Sequence, residues 1–121
     1  MSDDSTAVIP TNGTLSFLAK RTYDARRAID KIFGLSGFAV SPAWDVMLDL
    51  FQARSSQEKV SVSSACIGAA CPPTTALRWL VLLEDMQLIV RVPDENDRRR
   101  VIVELTECAV VKISKALESY L

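Results

Sequence analysis

Three consecutive arginines, residues 98 to 100, follow Asp94 and Asp97 in a short charged segment of this 121-residue chain. A guanidinium group can bridge phosphate oxygens or enter a narrow minor groove, which a lysine ammonium does less well. Residues 94 to 99 include no apolar side chain, so this segment must project into solvent or onto a polyanion. These residue types therefore predict a contact with nucleic acid.

A predicted β-hairpin presents the arginines. Residues 88 to 93 form its first strand, and from residue 100 apolar and polar side chains alternate as in a half-buried strand. We expect one face of the second strand to carry Val101, Val103 and Leu105, and the other face to carry Arg100, Ile102 and Glu104. Thr106 then caps a C-terminal helix. The hairpin has the pattern of a wing.

A helix-turn-helix is predicted before the hairpin. Ser63 is expected to cap a helix that runs to Ala70. The turn is placed at residues 71 to 73, Cys-Pro-Pro, because proline restricts the residue before it and itself fits a helix start. Residues 73 to 86 then form the recognition helix. Its segment 79 to 83 is apolar all round, which predicts partners on more than one side.

Together these segments resemble the winged helix-turn-helix of MarR-type bacterial transcriptional regulators. The resemblance covers roughly residues 41 to 121, and its most specific part is the wing motif Asp-x-Arg, here Asp97 and Arg99, followed by Leu-Thr at the end of the strand. The chain departs from the family pattern at Gln87, where the family usually has glycine. The resemblance implies a mainly α fold with a small β-hairpin, flanked by N- and C-terminal dimerisation helices.

We expect one domain, residues 13 to 121, after a flexible tail of residues 1 to 12. Within the domain, residues 41 to 106 are the expected DNA-binding core. The flanking helices, residues 13 to 34 and 107 to 121, are the expected dimerisation helices.

Apolar residues of the two flanking helices recur at spacings of three and four, which is typical of narrow helix-on-helix packing. The residues are Leu15, Leu18, Thr22, Ala25, Ile29, Ile32, Val110, Ile113, Leu117 and Tyr120. The N-terminal stripe either packs on its own domain or forms a subunit interface, and its narrowness favours the second interpretation. We therefore expect a homodimer.

The start of the recognition helix and the wing hold the candidate DNA-binding residues. They are Pro73, Thr74, Thr75, Leu77, Arg78, Asp97, Arg98, Arg99 and Arg100. Arg78 can grip guanine with two hydrogen bonds, and threonines can contact phosphate or a thymine methyl group. Alternatively, Arg78 is a solvated charge or a partner of Glu84 or Asp85, and the wing is a set of mutually paired charges.

Composition excludes several other functions. The chain has 14 basic and 15 acidic residues and a net charge of −1, which argues against nonspecific coating of nucleic acid. With no histidine, no glycine-rich phosphate loop and no spaced carboxylate pair, we expect no enzyme, catalytic residue or cofactor. Two cysteines spaced as C-x4-C fall short of a zinc site, so no metal is expected. Lacking a long apolar run and a basic N-terminal region, the chain is expected to be cytoplasmic, without membrane contact.

The alignment with the family places Cys66 and Cys71 at small apolar core positions, and a redox switch is the alternative. Taken together, the sequence predicts a sequence-specific, dimeric DNA-binding regulator, with repression of an inverted-repeat operator as the output. The alternatives are a protein-binding winged helix and a ligand- or redox-sensing regulator, for which a small-molecule effector is a further candidate partner.

Overall fold

The computed structural model describes residues 11 to 121 and is mainly helical. Its elements in chain order are α1 (Asn12–Phe33), a 3-10 helix (Phe38–Val40), α2 (Pro42–Ser55), β1 (Val60–Ser61), α3 (Val62–Gly68), α4 (Pro73–Asp85), β2 (Ile89–Asp94), β3 (Asp97–Leu105) and α5 (Glu107–Glu118). The predicted mainly α fold with a small hairpin is confirmed. Most of the predicted tail lies outside the described residues, but Thr11 and Asn12 are the cap and first residue of α1.

Hydroxyl side chains cap three helices at their N-termini. Thr11, Ser61 and Thr106 each accept a hydrogen bond from the amide three residues further on, at 3.1, 3.2 and 3.1 Å. Each cap satisfies one amide that the first turn of a helix leaves unbonded. The predicted cap at Ser63 is wrong, because β1 ends at Ser61 and α3 therefore begins two residues earlier than expected.

Each of the helices α1 to α4 is followed by a residue with left-handed backbone. These are Gly34 (φ 71°), Gln57 (φ 59°), Ala70 (φ 53°) and Gln87 (φ 61°). After α4, the amide of Leu88 donates to the carbonyl of Leu83, and the amide of Gln87 donates to the carbonyl of Glu84, both at 2.9 Å. This pair of bonds is a Schellman cap, in which glycine is the usual left-handed residue. Gln87 thus adopts the backbone that glycine adopts at lower steric cost.

A single hydrophobic core lies between the C-terminal half of α1, helices α2 to α5 and the sheet. In α4, Leu80 and Leu83 are fully buried, Trp79 and Leu82 are half-buried, and Val81 is 48% exposed. The predicted coverage of this segment on more than one side is confirmed, although one side stays open. Among the described residues, no single helix is long and apolar enough to cross a membrane; only the bent pair α3 and α4 reaches that length and composition together.

The sheet is antiparallel with strand order β1-β3-β2. Its register shifts between Pro93 and Asp94, so that Asp94 pairs with Asp97 and the strands meet at a turn of two residues, 95 and 96. The prediction of a loop from residue 94 to 99 is therefore wrong. The aspartate side chains tighten the hairpin through bonds to backbone amides two residues on.

The predicted alternation along β3 is only partly correct. Val103 is buried and Leu105 is half-buried, as expected for the core face. Ile102, expected on the open face, is only 3% exposed, because it pairs with Ser61 of β1 and α3 lies over β3. Val101, expected with the core residues, is 42% exposed because β1 ends before it.

Candidate nucleic-acid interface

The start of α4 is open to an external partner. The preceding turn reverses the chain at Ala70, which has a left-handed backbone (φ 53°), and Pro72 occupies the cap position. Within residues 11 to 121, no side chain caps this helix. Its first-turn amides are therefore available to an external acceptor such as phosphate, toward which the helix dipole also points its positive end.

Helix α4 divides into a buried and an outward face. Ala76, Leu80 and Leu83 are buried in the core. Of the predicted DNA-binding residues of α4, the exposed ones are Pro73, Thr74, Leu77 and Arg78, whereas Thr75 is half-buried. The outward face also includes Val81, which the sequence placed in an apolar segment but not among the DNA-binding residues. Its position four residues after Leu77 could have shown that the two side chains adjoin.

Arg78 is free of ion pairs among the described residues. Of the two alternatives, the pairing with Glu84 or Asp85 is wrong, whereas a solvated charge agrees with the exposure of Arg78. Glu84 instead lies 3.4 Å from Nε of Arg91, a residue of β2. The guanidinium of Arg78 is therefore available to a partner outside the chain.

At the wing, Asp97 braces Arg99. Its Oδ1 accepts the backbone amide of Arg99 at 3.0 Å and lies 3.4 Å from Nε of the same residue. The Arg99 side chain is nevertheless 92% exposed. Arg98 is exposed and forms no ion pair within residues 11 to 121.

A second aspartate, Asp94, anchors the wing from within, and sequence reasoning missed its role. Its side chain is 3% exposed and lies 3.2 Å from Nη1 of Arg100 and 3.5 Å from Nζ of Lys59. The backbone amide of Asn96, with those two cations, holds the pKa of this carboxyl below its ordinary value, although burial acts in the opposite direction. Arg100, predicted to contact DNA, is thus also part of the wing's internal support.

Arg91 lies close to this anchor. Two of its nitrogens, Nε and Nη2, are buried without a hydrogen-bond partner in the described part of the chain. Arg91, Arg99 and Arg100 line a cavity of about 380 Å³ together with Ser61, Val62, Ser63 and Val101. Guanidinium groups therefore converge at the base of the wing, where each also has one carboxylate partner.

The predicted interface residues fall into two groups. Leu15, Leu18, Thr22 and Tyr120 are exposed, and Ile32, Val110 and Leu117 are half-buried. Ala25, Ile29 and Ile113 are at most 1% exposed within this one chain. For these three residues the interface prediction is wrong, because α1 and α5 bury them in the core of their own domain.

The thiols lie outside the wing. Cys66 and Cys71 are half-buried against the core, and Cys108 is exposed at the start of α5. In the part of the chain that the structure describes, no group of three or more histidine, cysteine, aspartate or glutamate side chains could hold a metal ion.

No protein-family model and no curated protein matches this chain. Solved structures do match it. MepR of S. aureus in complex with DNA aligns with a TM-score of 0.72 and 15% identity, over 90% of this chain and 83% of MepR. NadR in complex with 4-hydroxyphenylacetate aligns with a TM-score of 0.64 and 18% identity, over 99% of this chain and 79% of NadR.

The transcriptional regulator Tm0710 of Thermotoga maritima gives a TM-score of 0.59 and 18% identity, over 91% of this chain and 74% of Tm0710. At these identities the similarity establishes the fold. The order of α2 to α5 and the sheet agrees with the arrangement inferred from the Asp-x-Arg motif and the helix-turn-helix. The chain therefore has the winged helix-turn-helix fold of MarR-type regulators.

Proposed function

We propose that this protein is a sequence-specific regulator of transcription that binds double-stranded DNA. The observation that carries the proposal is the outward face of α4, where Arg78 is exposed and forms no ion pair among the described residues. An arginine in this position can donate two hydrogen bonds to guanine in the major groove. The exposed guanidinium groups of Arg98 and Arg99 then reach phosphates or the minor groove beside it.

The active species in this proposal is a homodimer. Two copies of α4 would enter successive major grooves, so the operator is an inverted repeat, and occupancy of it represses transcription. Support comes from the N-terminal half of α1, where Leu15, Phe17, Leu18 and Tyr23 are 47 to 59% exposed. Leu15 and Leu18, which are spaced three residues apart and adjoin on one face of the helix, are uncovered apolar side chains typical of protein interfaces.

The double substitution Leu15→Glu and Leu18→Glu tests assembly. Both side chains lie outside the core, so we expect a folded monomer by circular dichroism and light scattering. Ile29→Glu is the matched comparison on the same helix, and it should unfold the chain because Ile29 is fully buried. A wild-type monomer at micromolar concentration contradicts the proposed dimer.

Selection from random duplexes at about 0.15 M salt tests DNA binding itself. We expect enrichment of an inverted repeat whose half-sites are separated by about one helical turn. Affinity for the selected duplex should fall as salt rises, because bound arginines release counterions. The proposal fails if no sequence is enriched and no salt-dependent binding is measured.

A second candidate function is binding of a protein partner through the same face. Two observations favour it: Leu77 and Val81 are exposed, and the net charge of the chain is −1. Under this alternative, selection enriches no duplex, and Leu77→Ala abolishes a protein complex instead of a DNA complex.

Small-molecule sensing is a third candidate. A cleft of about 380 Å³ between α2, the sheet and α5 has the size of a ligand site and is lined by charged residues that include Arg54, Lys59 and Glu107. The NadR structure contains 4-hydroxyphenylacetate. If this compound binds the present protein, thermal unfolding should shift upward with its concentration; an unchanged unfolding temperature excludes it as an effector.

A further inference from the structure

The outward face of α4 carries an apolar strip formed by Thr74, Leu77 and Val81. Leu77 and Val81 are 41% and 48% exposed and lie one helical turn apart, so their side chains adjoin. Thr74, three residues before Leu77, is also exposed and extends the strip with its γ-methyl group. The core therefore leaves these apolar groups uncovered next to Arg78.

We propose that this strip recognises the C5-methyl groups of thymine. The inference rests on the proposed function, in which α4 lies in the major groove. Thymine methyl is the distinctive apolar group on the base edges of that groove, and aliphatic side chains of leucine and valine can offer bases no hydrogen bond. Arg78 supplies the polar contact. The expected half-site thus places thymines next to one guanine.

The surroundings of the strip favour DNA as its occupant. Three side chains make a much smaller apolar surface than the several hundred square ångströms that a protein interface needs. Two carboxylates lie at the C-terminal end of α4. Glu84 pairs with Arg91 of β2, and the exposed Asp85 is the last residue of the helix. Because phosphates repel carboxylates, contact is confined to the part of α4 before Glu84, where the strip runs from Thr74 to Val81.

Deoxyuridine in place of thymidine tests the inference, because it removes only the methyl group. The probe is the duplex enriched by selection, synthesised with thymidine or with deoxyuridine. For the wild type we expect about a fourfold loss of affinity for each contacted methyl group, and so a loss of tenfold or more for two. The double variant Leu77→Ala and Val81→Ala should bind both duplexes nearly equally.

Val40→Ala is the matched control. Val40 is 69% exposed in the 3-10 helix, so the same truncation at a site away from α4 should keep the full deoxyuridine penalty. Circular dichroism checks that each variant is folded, which is expected because these side chains lie outside the core.

Two outcomes overturn the inference while leaving DNA binding intact: equal wild-type affinity for both duplexes, or a full deoxyuridine penalty in the double variant. Enriched half-sites without thymine overturn it as well. If the folded wild type binds no duplex, the proposed function fails and this inference fails with it.

Discussion

Helix α4 and the wing differ in how their arginines are held. Arg78 on α4 has no carboxylate partner among residues 11 to 121, and its neighbours on the outward face are apolar. In the wing, by contrast, Asp97 holds Arg99 and the buried Asp94 holds Arg100, while Arg98 forms no ion pair among the described residues. Each acidic partner fixes the backbone as well, through an amide two residues on.

This difference separates recognition from positioning. A free guanidinium on a rigid helix can exchange water for a base edge without losing an internal partner. A guanidinium that a hairpin carboxylate holds starts from a fixed position, but the carboxylate partly neutralises its charge. We therefore expect substitutions in α4 to change which sequence is bound, and substitutions in the wing to change how strongly any sequence is bound.

Arg78→Ala should have the largest effect on binding. Loss of a bidentate guanine contact costs about 1–3 kcal/mol and relaxes preference at one base pair in each half-site. Competition binding with single base-pair variants of the selected duplex measures both quantities. Uniform weakening across all base-pair variants would show that Arg78 contacts phosphate instead.

Arg98→Ala and Arg99→Ala should weaken binding to all sequences alike. Each loses about one counterion-releasing contact, so the slope of log affinity against log salt falls by about 0.9 for each phosphate contact. Arg100→Ala is the control, because the Arg100 side chain is held by the buried Asp94 and is only 44% exposed, against 92% for Arg99, so we expect a smaller change in slope. A larger change in slope for Arg100→Ala than for Arg99→Ala would show that Arg100, not Arg99, makes the stronger phosphate contact.

The contribution of Asp94 to the stability of the fold should decrease at low pH. Asp94 has a pKa lowered from 3.8, chiefly by the amide of Asn96 and then by Lys59 and Arg100. A carboxyl with a lowered folded pKa stabilises the fold above its unfolded pKa, and this stabilisation is lost as pH falls through the folded value.

Urea unfolding at several pH values measures this contribution. Between about pH 5 and 8, wild type and Asp94→Asn should differ by a constant free energy of unfolding. Below about pH 4 the difference should shrink, because protonation removes the charge from wild type as well. If the difference in free energy of unfolding between wild type and Asp94→Asn stays constant down to pH 3, another group causes the loss of stability in acid.

The smallest effect is expected for Gln87→Gly, at the joint between α4 and the wing. A left-handed backbone costs residues other than glycine about 1–2 kcal/mol, and the substitution relieves this strain. Glycine also makes the unfolded chain more flexible, which lowers the free energy of unfolding by about 0.5–1 kcal/mol. We expect a net stabilisation of about 0.5 kcal/mol and unchanged DNA affinity. Gln57→Gly, with the same geometry after α2, should give a similar gain. Destabilisation by both substitutions contradicts the steric argument.

Local chemistry made much of this fold predictable. The turn before α4 follows from the restrictions that Pro72 and Pro73 impose on the backbone, and the cap at Thr106 follows from a hydroxyl placed between a strand and an apolar stripe. The Asp-x-Arg motif pointed to Asp97 beside the wing arginines, and its carboxylate contacts Arg99, two residues further along β3.

Features set by distant parts of the chain were not predictable. Leu15 and Ile29 share one stripe on α1, yet Leu15 is 47% exposed and Ile29 is fully buried, because only the C-terminal half of the helix lies over the core. Likewise, Asp94 belongs to a charged segment that favours solvent. It is buried because the fold brings Lys59 against the hairpin, a contact that sequence periodicity does not encode.

The unequal burial of α1 has a consequence for local unfolding. Residues 11 to 20 are all exposed in the single chain, so little besides backbone hydrogen bonding and the cap at Thr11 keeps these first turns helical. Helical segments this short are marginal in water without packing. Amide hydrogens there should exchange rapidly in dilute protein and slowly if the proposed second subunit covers them, so exchange protection at this end of α1 tests the proposed dimer residue by residue.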